Sequence, residues 1–174
     1  PSEDFPSISQ EDFKHSFNID SIALIRLLDK TSFAMSLEET RYYLNGIYLH
    51  AIKEDNIHKL RTVATDGHRL SRVDMNLPEG ADGIPGVIIP RKTILEIRKI
   101  LEDHTGNINL SLSETKIRLS FNNVILTSKL LDGTFPDYSR VIPEQNDVIL
   151  LCNITVLQIQ CYLICGIKIL EIKI

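Results

Sequence analysis

The chain contains no tryptophan, few aromatic residues (6%) and no cysteine before position 152. Scarce rings work against a carbohydrate site or a base-stacking platform, both of which need several aromatics close together. Cys152, Cys161 and Cys165 crowd into the last 23 residues. An odd number in one segment builds no disulfide framework, so the cytoplasm is the expected compartment. A basic excess is missing too, since 19 Lys and Arg stand against 23 Asp and Glu for a net charge of −4. That balance argues against whole-surface nucleic-acid binding but leaves room for a local basic face on an acidic body. No Gly-rich phosphate loop and no nucleophile elbow occurs. The opening Pro1-Ser2-Glu3-Asp4 has neither the basic nor the apolar run of a secretory leader.

What is present is ordinary globular material, with 43% hydrophobic and 24% charged residues in 174. That suits one domain, or one domain plus a fragment. Residues 1–12 are polar and acidic with two prolines, and read as a linker or edge segment. Alternation over 13–19 predicts a half-buried strand. Asp20 or Ser21 can cap a helix running to about Met35, with Ile22, Leu24, Ile25 and Leu28 on its buried side. Aromatic and β-branched residues over 42–52 predict a strand, Asp55-Asn56 a turn, and 60–65 and 70–75 two further strands. Residues 76–86 read as a loop and 87–89 as a short strand, after which Pro90 opens a helix over 93–102. Strands at 108–113, 116–121 and 124–130 follow, turned by Glu114-Thr115 and Asn122-Asn123. Two similar halves, each a helix with antiparallel strands, imply an internally duplicated α+β domain.

Composition changes at Val148. Of the last 27 residues 19 are apolar, and 148–167 form a 20-residue stretch without charge. That length reaches a membrane span. Asn153, Gln158 and Gln160 lie inside it, however, and its Ile, Val and Thr content favours strands. Three readings stand here: a membrane segment, buried strands, or a stretch never selected to fold in this place, such as a frameshifted end.

The densest punctuation is Ala64-Thr65-Asp66-Gly67-His68-Arg69-Leu70. A strand ends at a tight turn where Gly67 permits a positive φ, His68 and Arg69 project from the far side, and Leu70 re-enters the core. Asp66 and His68 could ligate a metal, but a third ligand at turn or helical spacing is missing. Ser71 lies near His68 without the rest of a catalytic set. The plain alternative is that Asp66 caps the turn and Arg69 pairs with it. On the helix after Pro90, at about 100° per residue, Arg91, Lys92, Arg98 and Lys99 fall within an arc of about 120°. Ile94, Ile97, Ile100 and Leu101 occupy the opposite side. Such a stripe suits a phosphate backbone without base reading, or is merely a solvated face.

The heptapeptide resembles the most recognisable string of the bacterial DNA sliding clamp, the beta subunit of DNA polymerase III. Four other blocks agree in order: Arg41-Tyr42-Tyr43-Leu44-Asn45-Gly46, Val87-Ile88-Ile89-Pro90-Arg91-Lys92, Leu126-Thr127-Ser128-Lys129-Leu130 and Asp132-Gly133-Thr134-Phe135-Pro136-Asp137-Tyr138. The resemblance implies that 13–143 form the middle domain of the DNA-clamp fold, an α+β fold of internally duplicated helix plus antiparallel strands with the helices on one face of the sheets. It also implies a binding and scaffold role without chemistry or cofactor: a ring of two subunits slides on duplex DNA and tethers polymerase. Partners implied are non-sequence-specific duplex DNA, the DNA polymerase III catalytic subunit, the clamp loader and other clamp-motif proteins. The middle-domain wall of the family's peptide pocket would be Leu44, Thr65, Gly67, His68, Arg69, Leu70, Pro136, Arg140 and Val141. Apolar members would take anchor side chains, while Arg69 and Arg140 supply a polar rim. The DNA-facing set would be Arg91, Lys92, Arg98 and Lys99, joined by Arg26, Lys30, Tyr42 and Tyr43. Residues 1–147 carry 17 basic and 22 acidic side chains. An acidic exterior would steer DNA to the lined channel alone.

The resemblance stops after Pro143, so 144–174 read as a divergent apolar tail where the family's third domain would begin. These residues alone are therefore expected to bind clamp-motif peptides weakly or not at all and to close no ring. Rival readings are a truncated, non-functional clamp fragment, a metal-dependent enzyme using Asp66 and His68, and a small membrane-anchored protein.

Overall fold

The computed structural model describes residues 13–142 and 169–172. Strand β1 (His15–Asp20) leads directly into helix α1 (Ser21–Ser32). Asp20 caps it, its carboxylate accepting from the Ala23 N–H at 3.0 Å and so satisfying one of the free amides of the first turn. The α-helix stops short of the expected Met35. Amides of Ala34 and Met35 bond instead to the carbonyls of Thr31 and Ser32, tightening the last turn. Leu24, Leu27 and Leu28 are buried along α1, but Ile22 is 59% exposed, against the sequence expectation. The buried face lies further round the helix and takes in Leu27 and Thr31, whose hydroxyl is satisfied by the Leu27 carbonyl.

Residues Glu39–Leu44 form a 3-10 turn, so the strand expected from Tyr42 starts only at Gly46. The β propensity of Tyr42 and Tyr43 is overridden by tertiary contacts. The Ser36 N–H donates to the Leu44 carbonyl at 3.0 Å, and the Leu44 side chain is buried. A three-stranded meander follows: β2 (Gly46–Glu54), β3 (Ile57–Thr65) and β4 (Leu70–Asn76). Asp55 and Asn56 both take positive φ, the mirror-image turn that matches strand twist in a tight hairpin. Next come β5 (Val87–Pro90) and helix α2 (Arg91–Leu101), which buries Thr93, Ile94, Ile97 and Leu101. Strands β6 (Asn107–Leu112), β7 (Lys116–Phe121) and β8 (Val124–Lys129) complete the second half.

The halves exchange their leading strands. One sheet runs β1-β6-β7-β8, and the other runs β5-β2-β3-β4 with the short strand β9 (Ile169–Ile172) added in parallel beside β4. Thus β1 of the first half pairs with β6 of the second, and β5 returns to β2 of the first. Gly46 sits at that second crossing, opposite Pro90, where a Cβ would run into the Ile89 carbonyl. Both helices and the inner faces of both sheets share one core, including Phe17, Leu28, Leu49, Leu60, Val73, Ile97, Ile108, Leu110 and Leu119. Burying each such large side chain contributes roughly 1.5–3 kcal/mol before chain entropy is set against it.

A second, smaller cluster lies on the opposite face of the β2-β3-β4 sheet. It comprises Leu44, Val63, Leu70, Ile88 and Phe135, and it is covered by the strap that follows β8. Of the tail, β9 shows that one four-residue stretch is a strand. The uncharged run 148–167, with the three readings given for it, lies outside the described residues, as does the linker 1–12. Among the described residues no helix is long and apolar enough to cross a membrane.

Candidate functional site

Between the β3–β4 turn and the strap lies a cavity of about 380 Å³. Its lining includes Leu44, Thr65, Gly67, His68, Arg69, Leu70, Pro136 and Val141, eight of the nine residues set together by the sequence. The β3–β4 turn is held internally. The Asp66 carboxylate accepts from the amides of His68 and Arg69 at 2.9 and 3.0 Å and from Arg69 Nε at 3.1 Å. Thr65 Oγ1 donates to the Arg69 carbonyl at 2.8 Å and accepts from the Gly67 amide at 3.1 Å. Gly67 takes φ +87°. Burial works to raise the Asp66 pKa, and the Arg69 and His68 amides with the Arg69 guanidinium outweigh it, holding the carboxyl below its usual range. Asp66 is thus occupied as a turn cap, and among the described residues no group of three metal-ligating side chains forms.

The ninth residue stands apart. Arg140 is largely exposed and donates from Nε to Asp137 at 2.9 Å, outside the cavity lining. Arg41, Tyr43, Asp137 and Tyr138 line it as well, which sequence reasoning had not assigned there. A pattern in the chain carried the hint. Asp66-Gly67-His68-Arg69 and Asp137-Tyr138-Ser139-Arg140 are both Asp-x-x-Arg. In each, the Asp accepts from the amide two residues on and pairs with the Arg three residues on. Two alike turns flank one cavity, with Leu44 and Leu70 as a floor that also belongs to the small cluster beneath.

Of the residues set facing DNA, Arg91, Lys92, Arg98 and Lys99 are exposed on α2, Arg26 is exposed on α1, and Lys30 is half-buried. Arg98 Nε forms an ion pair with Asp29 of α1. Arg91 and Lys92 occupy the first turn of α2, which has no acidic residue and no side-chain cap. Cations there oppose the helix dipole, so helix stability does not account for them. Tyr43 lines the cavity, and Tyr42 meets it edge-on beside Gly133 at the start of the strap.

Beneath the strap runs a polar network. Arg61 is 4% exposed and donates from Nε and Nη2 to Asp74 at 2.6 and 2.7 Å, and from Nη2 to Glu54 at 3.2 Å. Burial works against the Arg61 charge, but Asp74 and Tyr138 outweigh it and raise the pKa. The Tyr138 hydroxyl lies 3.4 Å from Arg61 Nη1 and 3.0 Å from His50 Nε2. Burial pushes the His50 pKa down to about 4. The Phe135 ring stacks on Tyr48 with centroids 4.9 Å apart.

Comparison with known proteins identifies the family of this fold. A family model described as DNA polymerase III beta subunit, central domain, matches residues 18–137. The beta sliding clamp of Caulobacter vibrioides strain NA1000 is 53% identical over 150 residues, covering 86% of this chain and 40% of that protein. The beta sliding clamp of Escherichia coli K12 is 36% identical over 147 residues, covering 84% and 39%. Among solved structures, a sliding clamp from Bartonella birtlesii bound to griselimycin superposes with a TM-score of 0.81 at 57% identity, covering 84% of this chain and 40% of that one. A Caulobacter crescentus beta sliding clamp gives a TM-score of 0.82 at 53% identity, covering 84% and 39%. The chain spans about two fifths of the length of the curated relatives it matches.

Proposed function

The chain belongs to the family of the DNA polymerase III beta subunit, central domain, and from that premise we propose that residues 13–143 act as the middle module of a sliding clamp. The module works as a scaffold in the cytoplasm and not as an enzyme. In a ring built from two subunits, it contributes basic helix residues to a channel around duplex DNA and one wall of a pocket for partner peptides. The DNA polymerase III catalytic subunit, the clamp loader and other clamp-motif proteins are the partners.

One observation carries this reading. A cavity with an apolar floor unites the β3–β4 turn with Pro136 and Val141, which lie about seventy residues away in the chain. Apolar anchors of a partner peptide gain most where they fill such a floor inside a polar rim, here Arg41, His68 and Arg69. Supporting the DNA role, Arg91, Lys92 and Lys99 are exposed on one helix. Binding of this kind reads phosphates and not bases, so it is salt-sensitive and permits sliding.

The test is fluorescence anisotropy with a short synthetic peptide bearing Leu and Phe anchors. Val141 is 60% exposed, so Val141→Asp places a charge in the wall with little effect on folding. Peptide binding should be lost in that variant while its melting temperature holds. Equal binding by both proteins would remove the cavity from the account.

A further inference from the structure

Arg61, His50 and Asp74 stand on the outer face of the sheet, on β3, β2 and β4, and none of them lines the cavity. Taking a guanidinium out of water costs several kcal/mol unless its donors are met. Asp74 and Glu54 meet Nε and Nη2, which leaves Nη1 directed at the Tyr138 hydroxyl. Arginine can only donate, so the Tyr138 oxygen accepts from it. With its oxygen accepting from Arg61, the hydroxyl can donate its proton to His50 Nε2, or accept from that nitrogen in the other tautomer. Where Nε2 accepts, the imidazole proton sits on Nδ1. In either tautomer the Tyr138 hydroxyl is bonded on both sides.

These bonds join the packing of Leu131, Phe135, Tyr138 and Ile142 against the small cluster in holding the strap. Among the described residues, its last backbone hydrogen bond to the sheet runs from the Leu131 amide to the Ile88 carbonyl at 2.9 Å. Beyond that point the Phe135 ring on Tyr48 and the Tyr138 hydroxyl attach it. The same segment carries Pro136, Asp137, Tyr138 and Val141 into the cavity wall. We propose that His50 and Arg61 are positioning residues for the peptide cavity: by clamping the Tyr138 hydroxyl they hold the strap and set the gap between its wall and the Thr65–Leu70 wall. This rests on the cavity being a peptide site.

The experiment uses the whole chain and three variants. Tyr138→Phe keeps the ring in the wall and removes the hydroxyl. His50→Gln keeps an acceptor for the hydroxyl proton, whereas His50→Leu does not. Amide hydrogen exchange and affinity for the Leu/Phe-bearing peptide are read on each. In Tyr138→Phe, exchange over 136–142 should quicken while that of β3 holds, and affinity should fall by about three- to tenfold, the worth of a net hydrogen bond. His50→Leu should behave likewise, and His50→Gln should recover most of the loss. Unchanged exchange in Tyr138→Phe overturns the clamp, as do equal effects of the Gln and Leu variants. Faster exchange at unchanged affinity also overturns it, since the bond would then serve the strap alone. Wild-type protein that fails to bind the peptide even weakly shows that this chain's cavity is no peptide site by itself and removes the reading the clamp rests on, a result separable from wild-type binding with an indifferent Tyr138→Phe.

Discussion

Arg98 on α2 is paired with Asp29 on α1, so one of the four cations on the basic stripe is already answered from the neighbouring helix. Asp29 and Arg98 line a shallow groove between the helices together with Ile25, Leu95, Lys99 and Glu102. The stripe that sequence spacing draws as uniform is therefore uneven. Carboxylates reach its C-terminal half, while its N-terminal half carries Arg91 and Lys92 in a first turn without an acidic residue.

Asp29→Asn should free the Arg98 charge for phosphate. The slope of log affinity against log salt for a short duplex is expected to steepen by about one unit, the worth of one more phosphate contact. Lys99→Ala should shift it the other way. Titrations at several salt concentrations read both, and an Asp29→Asn slope equal to wild type would place the pair away from the DNA.

Arg61→Met should destabilise the fold by about 3 kcal/mol, because it leaves the Asp74 carboxylate half-buried without its partner. Burial works to raise the Asp74 pKa, and the Arg61 bond outweighs it to hold the carboxyl low. Adding Asp74→Leu to Arg61→Met should recover much of the loss. Urea denaturation of the single and double variants measures the coupling, and additive losses would contradict it.

Stability should fall with pH in a window set by His50. Its folded pKa is pushed by burial from 6.5 to about 4, so on acidification the unfolded chain takes up the proton first. The His50 contribution is then whole above the unfolded pKa and is lost as pH falls through the folded one. Carboxylates with lowered pKa, such as Asp66 and Asp74, lose theirs at lower pH. Denaturation midpoints between pH 7 and pH 4 should slope less in His50→Gln than in wild type. Parallel profiles would show that the ring titrates normally.

Leu28 and Ile22 share one helix and one place in the sequence-predicted apolar stripe, yet they are 0% and 59% exposed. Leu28→Ala should cost about 2–5 kcal/mol by opening a cavity. Ile22→Ala should stay within about 0.5 kcal/mol of wild type. Comparable thermal-melt losses for the two would mean that Ile22 is covered in solution.

Local chemistry made most of the elements legible. Asp20 before an apolar run, Asp55-Asn56 and Asn122-Asn123 between alternating stretches, and Pro90 ahead of α2 each act within a few residues of where they stand. Their effects need no knowledge of the rest of the chain. The Asp-x-x-Arg turns belong to the same class, and reading the second one would have added Tyr138 to the cavity wall. Where the reading slipped, a distant contact had outvoted a local preference. Tyr42 and Tyr43 favour a strand by type, but the burial of Leu44 and the bond from Ser36 hold them in a 3-10 turn.

The sequence by itself determined the helices, the hairpins, the duplicated order of elements and the family. These follow from periodicity, caps, turns and motif strings that are written over short spans. Tertiary structure alone decided that β1 and β5 cross to each other's sheet, because strand pairing is a choice among distant partners with similar patterns. It alone decided that Arg140 turns to Asp137 while Tyr138 turns to Arg61 and His50. A side chain's partner depends on which groups burial has left without one, and burial is settled only when the whole chain has packed.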